Sequence, residues 1–119
     1  MRSSCYNVAI MRAKYLGEFE QAILLAVVRL GEGAYGRAIR HELEACTGRR
    51  VSHGAAYVTL DRMQAKGLLE SRLADPADGR GGRRKRYFRV TESGVKALRE
   101  SRDALMNLWD GVEDILEES

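Results

Sequence analysis

Between Val51 and Val90 the chain changes its hydrophobic period twice, and few folds accommodate that order. Ser52-His-Gly-Ala-Ala-Tyr-Val-Thr-Leu-Asp-Arg-Met63 places Ala56, Leu60 and Met63 at helical steps, and Gly67 closes the pattern. Ser52 suits the N-cap, where a hydroxyl accepts hydrogen bonds from amides that the helix itself leaves unpaired. Two strand-like runs follow, Leu68–Leu73 and Arg86–Val90. The loop between them holds the chain's only proline, three glycines and a concentration of arginine. Pairing the two runs gives a hairpin with a flexible tip. A capped short helix beside a basic hairpin suits a polyanionic partner.

The remaining pattern is helical. Residues 1–14 show no clear period and read as an arm, with Met11 as an alternative start. Leu16–Leu30 repeats Leu16, Phe19, Ile23, Ala26, Val27 and Leu30 at three- and four-residue steps, and Leu24, Leu25 and Val28 add apolar surface elsewhere. A helix so apolar around its circumference is expected to be buried on more than one side, which points to a partner subunit. Gly31-Glu-Gly-Ala34 breaks the chain. Tyr35–Ala45 reads as a second helix with Ala38, Ile39, Leu43 and Cys46 on its inner stripe, ended at Thr47-Gly48. Arg49-Arg-Val-Ser52 is then the turn into the third helix. Thr91 caps a final helix expected to run to about Glu117, with Leu98, Ser101, Leu105, Leu108, Val112 and Ile115 at alternating heptad positions, widened by Trp109 and Leu116. Gly111 is its weak point, costing ~1 kcal/mol relative to alanine. The reading is mainly α with a small β-hairpin: an arm (1–14), a winged helix-turn-helix domain (15–90) and a long C-terminal dimerisation helix (91–119).

At 119 residues the chain suits one domain, and 45% hydrophobic with 31% charged residues is ordinary for a globular protein. The longest apolar run, Ala22–Val28, falls well short of the ~18 residues that span a bilayer. The N-terminus lacks an apolar signal core, and two cysteines imply no disulfide framework, so a cytoplasmic location is expected. Net charge is only +3, but it is unevenly distributed. Arg72–Arg89 carries seven bases against two acids, whereas Thr91–Ser119 carries eight acids against three bases. One end attracts phosphate and the other repels it, a split that orients a DNA-binding protein on a duplex.

Other chemistries find little support. Gly31-x-Gly33-x-x-Gly36 matches the dinucleotide-binding glycine pattern, but the run before it has helical steps and no further parallel strands follow. His41, Cys46 and His53 lack tight metal-ligand spacing, so no metal or cofactor is expected. Ser52 beside His53 makes no catalytic set, because neighbours on a helix point in different directions. No enzyme activity is expected.

Taken together, Leu16-Gly-Glu-Phe-Glu20, Ala34-Tyr-Gly-Arg-Ala-Ile39, Ser52–Met63, Lys66-Gly-Leu-Leu69 and Gly82-Arg-Arg-Lys-Arg-Tyr-Phe-Arg-Val-Thr-Glu-Ser-Gly94 resemble the PadR-like family of bacterial transcriptional regulators. The resemblance runs from Tyr15 to the C-terminus. It implies a homodimer built through one C-terminal helix, as in the short subfamily, and binding to a palindromic double-stranded DNA operator, usually as a repressor. It also implies an apolar pocket at the dimer interface where a tryptophan, here Trp109, meets a small aromatic or apolar effector. Many relatives carry proline after the recognition-helix tyrosine; this chain has Val58.

The candidate DNA-binding residues are Tyr35, Arg49, Arg50, Ser52, His53, Tyr57, Arg83, Arg84, Lys85 and Arg86. Tyr57 lies one step from the Ala56–Leu60–Met63 face and can look outward to a phosphate or base edge, or pack half-buried. Ser52 and His53 stand at the helix end whose free amides favour phosphate; Ser52 can equally be only a cap. Arg49 and Arg50 in the turn, and Tyr35 with Arg37 at the start of the second helix, are placed to touch the backbone. Arg83–Arg86 carry four successive cations, which repel one another and gain from a polyanion; strand alternation turns one of them away. The dimer and ligand interface is assigned to Leu98, Leu105, Leu108, Trp109, Val112 and Ile115. A rival reading is a winged-helix protein-interaction module without specific DNA binding, with the acidic final helix as its working face.

Overall fold

The computed structural model describes residues 16–74 and 84–117. The expected arm (1–14), most of the hairpin tip and Arg83 lie outside the described residues.

Helix α1 (Glu18–Leu30) starts where Glu20 reaches back to accept the Gly17 N–H at 3.0 Å. A 3-10 turn (Gly31–Gly33) leads into α2 (Gly36–Thr47), which ends at Gly48 in the left-handed region, φ 73°. Helix α3 (His53–Ala65) is capped as expected: Ser52 Oγ accepts from Ala55 N at 3.0 Å. Strands β1 (Leu69–Ala74) and β2 (Lys85–Val90) pair antiparallel, with Leu69 opposite Val90 and Ala74 opposite Lys85. Helix α4 (Glu92–Trp109) closes the domain, and a single turn, α5 (Asp114–Glu117), follows.

The core is one cluster. Ile23, Leu24 and Val27 of α1 meet Ile39 and Leu43 of α2, Ala56, Leu60 and Met63 of α3, and Leu69 and Phe88 of the hairpin. Ala56, Leu60 and Met63 are fully buried, so the inner stripe of α3 is the one its periodicity predicts. The 3-10 turn is sewn to the hairpin: Phe88 N donates to Ala34 O at 2.8 Å, and Tyr35 forms a bridge with Tyr87. The Gly31–Gly36 stretch therefore links a helix to a helix, and no βαβ unit surrounds it. Of its glycines, Gly36 has a packing role: a Cβ there would sit 1.7 Å from the Tyr57 hydroxyl oxygen.

The base of the hairpin is fixed by two sequence pieces that lie far apart in the chain. Thr91 N donates to Leu68 O at 3.1 Å, and Thr91 Oγ1 donates to Gly67 O at 2.7 Å while accepting from Gly94 N at 3.1 Å. Gly94 lies so close that a Cβ would come within 2.3 Å of the Leu68 carbonyl oxygen. Thr91 thus caps α4 and docks it on the turn after α3 in one step.

Two expectations are corrected. The final helix is not continuous to Glu117: it stops at Trp109, and Gly111 adopts φ 86° before α5. The left-handed region is open to glycine at low cost, so the weak point becomes a break. Cys46 is not on the inner stripe of α2. The stripe follows Ile39 and Leu43, whereas Cys46 is exposed one turn beyond Glu42, to which its thiol donates at 3.5 Å.

Candidate nucleic-acid interface

The surface built by α3 and the hairpin begins with how α3 is held. At its start, Glu44 Oε2 accepts from Val51 N at 2.7 Å and Arg40 Nε donates to Val51 O at 3.2 Å, so α2 grips both backbone polar groups of the residue before the cap. At its end, the Glu20 carboxylate meets Lys66 Nζ at 3.2 Å and Arg62 Nη1 at 3.8 Å. Burial pushes the Glu20 carboxyl up, but the Gly17 amide and the two cations outweigh it and hold it below the ordinary carboxylate range.

With its inner stripe buried and both ends tied, α3 leaves Ser52, His53, Gly54, Ala55, Val58, Asp61 and Arg62 exposed. His53 stacks on Tyr57 with ring centroids 4.5 Å apart. Tyr57 itself is half-buried against the core with its phenol over Gly36, so the packing alternative describes its placement. Val58, 58% exposed, is the outward apolar residue of this face. Sequence reasoning noted it only as the place where relatives carry proline. Its signal was nonetheless there, since Val58 lies opposite the Ala56–Leu60–Met63 stripe on a helical wheel.

The hairpin sorts its residues by strand alternation. Ser71, Leu73, Arg86 and Phe88 point to the α3 side, and Glu70, Arg72, Lys85, Tyr87 and Arg89 to the other. On that second side cations lie over rings: Lys85 Nζ is 4.4 Å from the Tyr35 centroid, Arg72 is 5.0 Å from that of Tyr87, and the two tyrosine rings stand 5.7 Å apart. Tyr35 thus buttresses a wing cation. Arg84 and Lys85 are exposed, as are Arg49 and Arg50 in the turn before α3. Arg86 faces α3 and is paired with Asp61 at 3.1 Å, which makes it the member of the cationic run that alternation turns away.

The second exposed surface is apolar. Leu105, Leu108, Trp109, Val112 and Ile115 all face solvent, Leu108 at 74% and Trp109 at 39%. Leu98 differs: it is half-buried against the domain's own core, and Ser101 beside it is buried where Leu16 N approaches its hydroxyl at 3.4 Å. Leu25 and Val28 of α1, expected to be buried, are exposed within one chain. Val28 and Val95 border a groove of about 690 Å³ between the end of α1 and the outer face of the hairpin. Among the described residues no cluster of His, Cys, Asp or Glu is suited to a metal ion, and no helix is long and apolar enough to cross a membrane.

The chain thus combines a helix-turn-helix, its second helix exposed and tied at both ends, with a cationic hairpin, and comparison with known proteins finds the same arrangement. Residues 24–100 match the model of the transcriptional regulator PadR-like family. The chain belongs to that family. A curated relative, the transcriptional regulator Rv3488 of Mycobacterium tuberculosis (strain ATCC 25618 / H37Rv), is 46% identical over 63 residues, which are 51% of this chain and 53% of that protein. The chain thus matches about half the length of that relative. The PadR-like regulator BC4206 of Bacillus cereus strain ATCC 14579 superposes with TM-score 0.67 at 26% identity, over 82% of this chain and 90% of that one. A chain of the hsRosR-S4 complex gives TM-score 0.67 at 27% identity over 89% of this chain and 84% of that one. The PadR-like chain described here shares their winged-helix architecture.

Proposed function

We propose that this PadR-like regulator is a homodimeric, effector-responsive repressor that acts in the cytoplasm on a palindromic operator. The observation that carries the reading is the exposed face of α3, from Ser52 to Val58, lying beside a cationic hairpin. A helix of this kind enters the major groove by its N-terminal end, where Ser52, His53, Gly54 and Ala55 stand, and Val58 suits a thymine methyl. Arg84, Lys85 and Arg83 supply phosphate contacts beside it, as do Arg49 and Arg50 from the turn. Phosphate contacts position the protein, and the α3 side chains specify the sequence.

The exposed apolar residues of α4 and α5 are covered by a second copy. Two recognition helices then engage half-sites about one helical turn, ~34 Å, apart. A planar or apolar effector stacks on Trp109 at this interface and changes the separation of the helices, which releases the operator.

A salt titration of duplex binding tests the DNA reading. With two to three phosphates met per subunit, log K falls against log salt with a slope of about −4 to −5. The Arg83→Ala/Arg84→Ala/Lys85→Ala variant shows a shallower slope. A flat titration for the unaltered chain points instead to a protein-interaction module.

A further inference from the structure

The cationic run Arg83–Arg86 contains one residue whose geometry sets it apart. Arg86 Nη1 lies 3.1 Å from Asp61 Oδ1, Nη2 donates to Gln64 Oε1 at 2.8 Å, and Nε donates to Ser71 Oγ at 3.2 Å. Ser71 Oγ donates in turn to Gln64 Oε1 at 2.9 Å. The guanidinium, the hydroxyl and the amide thus form a closed ring across three elements: β2, β1 and α3. The Gln64 oxygen accepts two bonds, one for each lone pair, and the Ser71 hydroxyl accepts one and donates one. The guanidinium also lies over a ring, its carbon 5.0 Å from the centroid of Phe88, a core residue.

We infer that Arg86 is a positioning residue that locks the wing to the recognition helix, so that the two dock on DNA as one rigid unit; the inference rests on the DNA-binding reading above. The ion pair alone would carry little, because Asp61 is 61% exposed and isolated surface pairs are weak. The fork geometry matters more. A guanidinium offers its donors in a fixed plane, so satisfying Asp61, Gln64 and Ser71 together sets the angle of β2 against α3. A wing free to swing would still deliver Arg84 and Lys85 to phosphates. It would no longer deliver them in register with the bases that α3 reads.

The reading separates from a phosphate-contact role by charge-neutral mutation. Arg86→Met with Asp61→Asn removes the fork and its acid together, keeps net charge unchanged and leaves an apolar stem to cover Phe88. The probes are a duplex enriched from a randomised pool by the unaltered chain and a random duplex of equal length. The double variant is expected to lose about tenfold or more on the enriched duplex, the scale of one mismatched base pair. On the random duplex it stays within about threefold, with an unchanged salt slope. Arg86→Lys keeps the charge without the fork and shows the same selective loss in smaller measure; it carries the test if the double variant does not fold. Equal loss on both duplexes, with the slope reduced by about one per subunit and restored by Arg86→Lys, makes Arg86 a phosphate contact and overturns the inference. So does full retention of affinity on both. Failure of the unaltered chain to enrich any duplex is a different result, and it removes the DNA-binding reading itself.

Discussion

Helices α3 and α4 make an instructive pair, because both carry an apolar stripe at helical steps and both begin at a side-chain cap. Ser52 caps the first and Thr91 the second. Along α3 the apolar stripe of Ala56, Leu60 and Met63 is buried to its end, and polar side chains from α1, α2 and the hairpin hold both termini. Along α4 the stripe is satisfied only as far as Ser101; from Leu105 on it faces solvent. One helix is therefore completed by its own chain. The other leaves its apolar stripe exposed in one chain, the face that the proposed dimer would cover.

The largest effect that would break this contrast comes from the exposed half of α4. Leu105→Asp with Leu108→Asp should convert a dimer to a monomer in sedimentation equilibrium with little change in helical content. Losing the second reading head removes avidity, so affinity for a palindromic duplex should fall by roughly 100-fold or more. A variant that keeps the mass of the unaltered chain would sink the dimer assignment.

The same kind of change on α3 acts on folding instead. Leu60→Ala leaves a cavity in the centre of the core and should destabilise the chain by about 2–5 kcal/mol in denaturant titrations. Val58→Ala, two residues earlier but exposed, should stay within about 0.5 kcal/mol of the parent while altering sequence preference on duplexes. If the two substitutions cost the same stability, α3 does not face the core as described.

A cap-level change is intermediate. Thr91→Ala loses the bond from Gly94 N and the bond to Gly67 O, and a cost of about 1–2 kcal/mol in thermal or denaturant unfolding is expected. Thr91→Ser, which keeps the hydroxyl, should recover most of it.

How far the sequence disclosed these differences depends on the kind of interaction. Helical periodicity identifies which residues of α3 are buried, because a stripe of Ala56, Leu60 and Met63 has one geometric solution. It also marks the caps Ser52 and Thr91 and flags Gly111 as a weak point. What it lacks is pairing between elements that are distant in sequence. Arg86 reads as one of four equivalent cations until Asp61, Gln64 and Ser71 are brought beside it from two other elements. Tyr57 stays open between an outward and a half-buried place, because a helical wheel carries no record of Gly36, whose missing side chain makes room for the phenol. The break after Trp109 was visible as a glycine but not as an event, since propensity alone assigns Gly111 a small cost, and the observed turn depends on its neighbours.

The smallest effect concerns the strap between α1 and the end of α3, and it has a sign that can be checked. The Glu20 carboxyl is raised by burial but lowered further by the Gly17 amide, Lys66 and Arg62, so in the fold it titrates below its unfolded value. The unfolded chain then binds more protons across that interval, and stability rises with pH through it. The contribution is complete above the unfolded value, about 4.3 for glutamate, and disappears as pH falls through the folded one. Melting temperatures of the parent and of Glu20→Gln, followed from pH 7 down to about 3, should therefore differ most at neutral pH and converge in acid. A gap independent of pH would mean that Glu20 acts by packing alone, because the Gly17 amide bond and both ion pairs favour the ionised carboxylate. Convergence would show that the ionised carboxylate carries the contribution, shared between the Gly17 amide and the two cations of α3; a smaller pH-dependent gap for Lys66→Met would assign part of it to α3, the kind of restraint that keeps an exposed face in place without burying it.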